Sequence, residues 1–126
     1  MEERCEELEQ LIIDFDALGN QYVTLRIEVR KTLGREYIKE GSFDAAQEIF
    51  QEALELHETH VGPDAILMNE LAVCLMYSQN TDSWRLALGL LWCACQVENI
   101  IAIRSNLVVA EALVMRADKV VNSVSM

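Results

Sequence analysis

Proline is nearly missing from the sequence: Pro63 stands alone among 126 residues, beside only five glycines. So few breakers exclude a turn-rich sheet protein or a flexible linker, and the length suits about one domain. Basic residues are also scarce. Ten Lys and Arg face 21 Asp and Glu, a formal charge of −11, which repels nucleic acid and anionic lipid at long range. Nucleic-acid binding is not expected. No basic or arginine-rich leader opens the chain, because residues 1–7 are acidic. Nor is there an uninterrupted apolar run of about 18 residues, the minimum for a membrane-spanning helix. The most apolar stretches, 86–97 and 100–115, are separated by Glu98 and Asn99, and the second is interrupted by Arg104, Asn106 and Glu111; they read as core helices without membrane insertion. Cys5, Cys74, Cys93 and Cys95 lack metal-ligand spacing and read as reduced, buried thiols in a cytoplasmic protein.

Catalytic patterns are missing as well. No Ser/His/Asp set, glycine-rich phosphate loop or paired-carboxylate motif stands out, so no enzyme and no cofactor are expected. The segment 57–60, His-Glu-Thr-His, spaces its histidines by three where a zinc helix needs four. It reads as a helix end with two solvated histidines, and no metal site is expected. Cys93 and Cys95 flank Ala94 on different faces of a helix, which suits neither a zinc knuckle nor a redox pair. Trp84 and Trp92, eight residues apart, read as anchors of core or interface packing.

What the sequence does have is apolar residues, 52% of the chain, recurring at helical spacing. Leu8, Leu11, Ile12, Phe15 and Leu18 make residues 1–18 an amphipathic helix. A second helix runs from about Tyr22 to Glu40 after a stop at Gly19-Asn20, and a third runs to His60 after the turn at Gly41-Ser42. Gly62-Pro63-Asp64 breaks the chain, with Asp64 as N-cap of a helix running to Tyr77. After polar residues 78–83, with Asp82 or Ser83 as N-cap, a helix spans 84–97, and a last one spans 99–121. Six helical segments without an alternating strand pattern make the chain all-α.

A pattern recurs along these helices. Leu33-Gly34-x2-Tyr37 followed by Ala46-x3-Phe50-x2-Ala53 returns as Leu71-Ala72-x2-Leu75 followed by Ala87-x3-Leu91-x2-Ala94, and the opening half returns again at Leu107. A helix pair recurring at 36 to 41 residues is the signature of an α-solenoid. At these residues the sequence resembles the tetratricopeptide repeat family, over roughly residues 28–115. Arg30 stands where the family pattern has tryptophan, and Glu58 where it has proline. The long third helix and the Gly-Pro-Asp break resemble the longer repeats of kinesin light chains.

The resemblance implies antiparallel helix pairs stacked as a short right-handed solenoid: residues 1–18 as an N-terminal helix, 21–60 as a first repeat, 64–97 as a second, and 99–121 as the first helix of a third or a cap. It also implies a function, an adaptor, scaffold or chaperone-like module that holds a peptide or helix of a partner protein in the concave groove of the first helices. Carried over by motif position, the partner-binding residues are Lys31, Arg35, Ile38 and Lys39 from the first repeat and Ile66, Asn69, Val73, Met76 and Tyr77 from the second. Glu28, Thr32 and Glu70 share these faces, and Ala102, Ser105, Asn106 and Val109 would continue the groove. Lys31, Arg35 and Lys39 recur every four residues on one helix face. They suit an acidic ligand, or pair with Glu28, Glu36 and Glu40 along their own helix. In the family, a groove lysine and asparagines clamp the terminal carboxylate of heat-shock chaperone tails. Lys31 matches that lysine, but Arg35 and Glu70 replace asparagines. Ile66, Val73, Met76 and Tyr77 suit an amphipathic segment of a partner, or equally cover by the N-terminal helix or by a second subunit. The alternative is a structural subunit that self-associates, or joins a larger complex, through Ile100, Ile101, Ile103, Leu107, Val108 and Val109, a run apolar on more than one helix face.

Overall fold

A computed structural model describes residues 2–125, with side chains described for 3–120. Among these residues the chain is all-helical. Helices α1 (Glu2–Leu18), α2 (Val23–Lys39), α3 (Phe43–His60), α4 (Ala65–Met76), α5 (Thr81–Val97) and α6 (Ile101–Ser125) follow one another, with one turn of 3-10 helix at Asn20–Tyr22 before α2. Each helix packs on the next, and α4 also touches α6. Residues 1 and 126, the ends of the domain read from the sequence, lie outside the described residues.

The turns follow local chemistry. After α2, Gly41 adopts φ 79°, its N–H donates to the Ile38 carbonyl at 3.0 Å, and the Ser42 N–H donates to the Tyr37 carbonyl at 2.8 Å. That is the glycine-dependent closure that satisfies the last carbonyls of a helix. At the start of α4 the Asp64 carboxylate accepts from the Leu67 N–H at 3.1 Å, the cap read from the sequence. The cap of α5 differs from expectation. Asn80, not Asp82 or Ser83, accepts the Asp82 N–H at 2.8 Å, so α5 starts at Thr81, three residues earlier than Trp84. Asn80 is as good a cap as Asp or Ser. The Trp84 indole folds back to donate to the Ser78 carbonyl at 2.7 Å.

The main core runs through α3, α4, α5 and α6 and is built from Ala46, Phe50, Leu67, Leu71, Leu91 and Ile103 among others, all with 1% exposure or less. The alanines and large apolar residues of the pattern's second half, Ala46, Phe50, Ala53, Ala87, Leu91 and Ala94, are all fully buried. Gly34 is small for a reason. A Cβ there would sit 2.6 Å from the Phe50 ring, so the ring of α3 packs directly on the α2 backbone at this point. A second cluster, Cys5, Leu8, Val29, Leu33 and Ile49, fastens α1 onto α2 and α3, with Tyr37 lying between the two clusters.

Three single-residue expectations need correction. Cys5 and Cys74 are buried, but Cys93 is exposed and Cys95 half-buried, because the buried side of α5 is occupied by Ala87, Leu91 and Ala94. Trp92, 58% exposed, stands outside the core, which excludes the core half of its reading and not the interface half. His57 is not solvated: its Nδ1 donates to the Gly62 carbonyl at 2.6 Å and its Nε2 lies 3.6 Å from Asp64, so it binds the α3–α4 turn, whereas His60 is exposed.

Candidate functional site

The nine residues expected to bind a partner separate into four on α2, charged except for Ile38, and five on α4 and its C-terminal end, apolar except for Asn69 and the hydroxyl of Tyr77. On α2 every cation is already matched. Lys31 Nζ lies 3.4 Å from Glu28, and Lys39 Nζ lies 3.2 Å from Glu36. Arg35 makes a two-point contact with Glu70 on α4, Nε to Oε2 at 3.0 Å and a terminal nitrogen to Oε1 at 2.8 Å. The hydrogen bond to Glu70 holds the Arg35 guanidinium above its ordinary pKa. Two readings of this stripe came from the spacing, and the pairing along the helix is present at Lys31 and Lys39. The field an acidic ligand would meet is correspondingly reduced.

On α4 the side chains continue toward α6. The Asn106 amide donates to the Asn69 carbonyl oxygen at 2.9 Å, so Arg35–Glu70 and Asn69–Asn106 tie α2 to α4 and α4 to α6. Beside this link Val73, Met76 and Tyr77 line a cavity of about 240 Å³ with Asn106, Val109 and Leu113 of α6. Three of the nine expected residues therefore meet two of the expected α6 positions in one concavity. Tyr77 is 60% exposed and is held from the other side by Phe43, with ring centroids 4.4 Å apart and planes 13° from parallel. Ile38 packs on the main core, and Ile66 is exposed outside this cavity.

Leu113 and Phe43 were not singled out from the sequence. Leu113 stands one turn beyond Val109 and seven residues beyond Asn106, so extending the groove face by one turn would have found it. Phe43 opens α3 as part of a turn, and no spacing rule pairs it with Tyr77.

The remaining buried polar chemistry holds helices together. Arg30, 4% exposed, places two guanidinium nitrogens on the Asp16 carboxylate at 3.0 and 2.7 Å, and Arg26 reaches the same carboxylate at 2.8 Å. The Arg30 hydrogen bonds hold Asp16 below the usual carboxylate range against the opposing effect of burial. Burial pushes Tyr37 well above its ordinary pKa, with its hydroxyl donating to Glu9 at 2.6 Å as a second cause. Burial raises the Cys74 thiol to about 11, helped by the charge of Glu70, which makes it a poor nucleophile. No group of three or more His, Cys, Asp or Glu that could hold a metal occurs among the described residues. No helix there is long and apolar enough to cross a membrane. Comparison of the chain with family models, curated proteins and solved structures gave no match.

Proposed function

We propose that this chain is a non-enzymatic protein-interaction module, a short tetratricopeptide-like right-handed solenoid of antiparallel helix pairs, acting as an adaptor, scaffold or chaperone. In this reading α2, α4 and α6 are the first helices of successive repeats, and an amphipathic peptide or helix of a partner lies across α4 and α6. The observation that carries it is the cavity between those helices. Val73, Met76, Val109 and Leu113 supply apolar walls, Tyr77 and Asn106 supply hydrogen-bonding groups at the rim, and methionine and tyrosine adapt to varied partners. Lys31, Arg35 and Lys39 contribute less than their spacing suggests, since each faces a glutamate, so the apolar groove outranks a clamp for an acidic ligand. Four free thiols suit the reducing cytoplasm.

Selection of displayed peptides against the purified chain tests the reading. Enriched peptides are expected to carry apolar residues at helical spacing and to lose about tenfold or more in affinity for V73E/M76E, the effect of placing charge in an apolar contact. Peptides indifferent to that pair of substitutions would contradict it.

A further inference from the structure

The outward face of α6 carries a second apolar pattern, distinct from the groove. Ile101, Ser105, Val108, Ala112 and Met115 are spaced alternately by four and three, and all are exposed, Ile101 at 78%, Val108 at 64% and Met115 at 63%. Alternation of four and three is the seam of a helix that packs along another helix. Large residues occupy one position of the seam and Ser105 and Ala112 the other. Between them Ile101, Arg104, Ser105 and Val108 surround a depression of about 390 Å³. These four residues, at intervals of three, four and seven from the first, are the arrangement that receives one side-chain knob from a facing helix.

We infer that this face binds a second copy of the same chain, with the two α6 helices antiparallel and Val108 of each entering the depression over Ser105 of the other. The same register sets Ile101 against Ala112 of the partner copy, so Ile101 and Val108 each meet a small side chain, while Met115 falls level with Glu98, just before the second copy's α6. It also brings Arg104 level with the second copy's Glu111, and Glu111 level with its Arg104. Both side chains are exposed, and neither makes an ion pair among the described residues. Two-fold symmetry makes the two pairs reciprocal, which is the charge complementarity that selects a second copy over an unrelated helix. A parallel arrangement would set Lys119, next on the seam after Met115, against itself and Arg104 against Val109, and would keep an opposite-charge contact only between Glu111 and Arg116. The inference does not depend on the groove between α4 and α6.

Sedimentation across a wide range of concentration, with helicity checked by circular dichroism, provides the test. The unaltered chain is expected to form a dimer, and V108E a monomer of unchanged helicity. R104E and E111R, each placing two like-charge contacts across the dimer, are expected to weaken association by about tenfold. An equimolar mixture of R104E and E111R restores both opposite-charge contacts and is expected to dimerise close to the unaltered level. A monomer at every concentration overturns the proposal outright. A dimer that ignores both single reversals, or a mixture no stronger than its components, overturns this register and orientation.

Discussion

Arg30 shows how one side chain can be misplaced by a pattern and still be explained by chemistry. It stands where the tetratricopeptide pattern has tryptophan, and it is as buried as a tryptophan would be, but it uses Asp16 to make burial tolerable. Removing one partner of a buried ion pair costs more than the pair contributes, because the remaining charge is left in a low dielectric. D16N is expected to destabilise the fold by about 2 kcal/mol in chemical denaturation, less than the 3–5 kcal/mol typical of a fully buried pair because Asp16 is about a third exposed. The pH dependence has a definite sign. Asp16 titrates lower in the folded chain than in the unfolded one, so its stabilisation is present above about pH 4 and is lost as pH falls through the depressed folded value. Acid unfolding followed by circular dichroism should lose this increment in D16N; identical acid midpoints would contradict the assignment. Gly34 makes a second residue-scale case. Alanine is intrinsically better in a helix by about 1 kcal/mol, yet G34A places a Cβ against a Phe50 ring that is fully enclosed. Overpacking wins, and G34A is expected to be destabilised by about 2 kcal/mol, with part of the loss recovered in G34A/F50L.

At the scale of helices, the sequence is most legible where periodic burial and turn residues act together. The six helices, the buried Ala46-Phe50-Ala53 and Ala87-Leu91-Ala94 triplets, and the Asp64 cap all follow from local spacing and backbone chemistry. The start of α5 was less legible, since Asn80, Asp82 and Ser83 are all competent caps and only the backbone path chooses among them. Cys93 and Cys95 were misplaced for a related reason: α5 is apolar around much of its circumference, so composition alone does not say which side is covered. The pairing of Arg35 with Glu70, 35 residues away, is a tertiary contact that no helical periodicity encodes. Of the candidate site, the α4 residues Val73, Met76 and Tyr77 and the α6 residues Asn106 and Val109 were legible, whereas Phe43 behind Tyr77 was not. The caps give a prediction at this scale. D64A and N80A are each expected to cost about 1 kcal/mol, and in hydrogen exchange the loss of protection should begin in the first turn of α4 for D64A and of α5 for N80A.

For the whole molecule, the arrangement separates two surfaces on α6. One lines the cavity with α4, and the other carries the outward seam of Ile101, Val108 and Met115. A partner's amphipathic segment and a second copy of the chain could then bind together, which would present two grooves per dimer and strengthen binding to a partner with repeated segments. In the groove reading the charged stripe on α2 is the lesser contributor. K31E/R35E/K39E is expected to weaken binding of a groove peptide less than V73E/M76E does, as read by calorimetry, because the three cations already face Glu28, Glu70 and Glu36. The most direct test of the central claim is a methyl-resolved NMR titration of the chain with a selected amphipathic peptide. The groove account predicts that the methyl signals of Val73, Met76, Val109 and Leu113 move while those of Ile101, Val108 and Met115 stay in place. Movement confined to the second set, with the first unchanged, would contradict it.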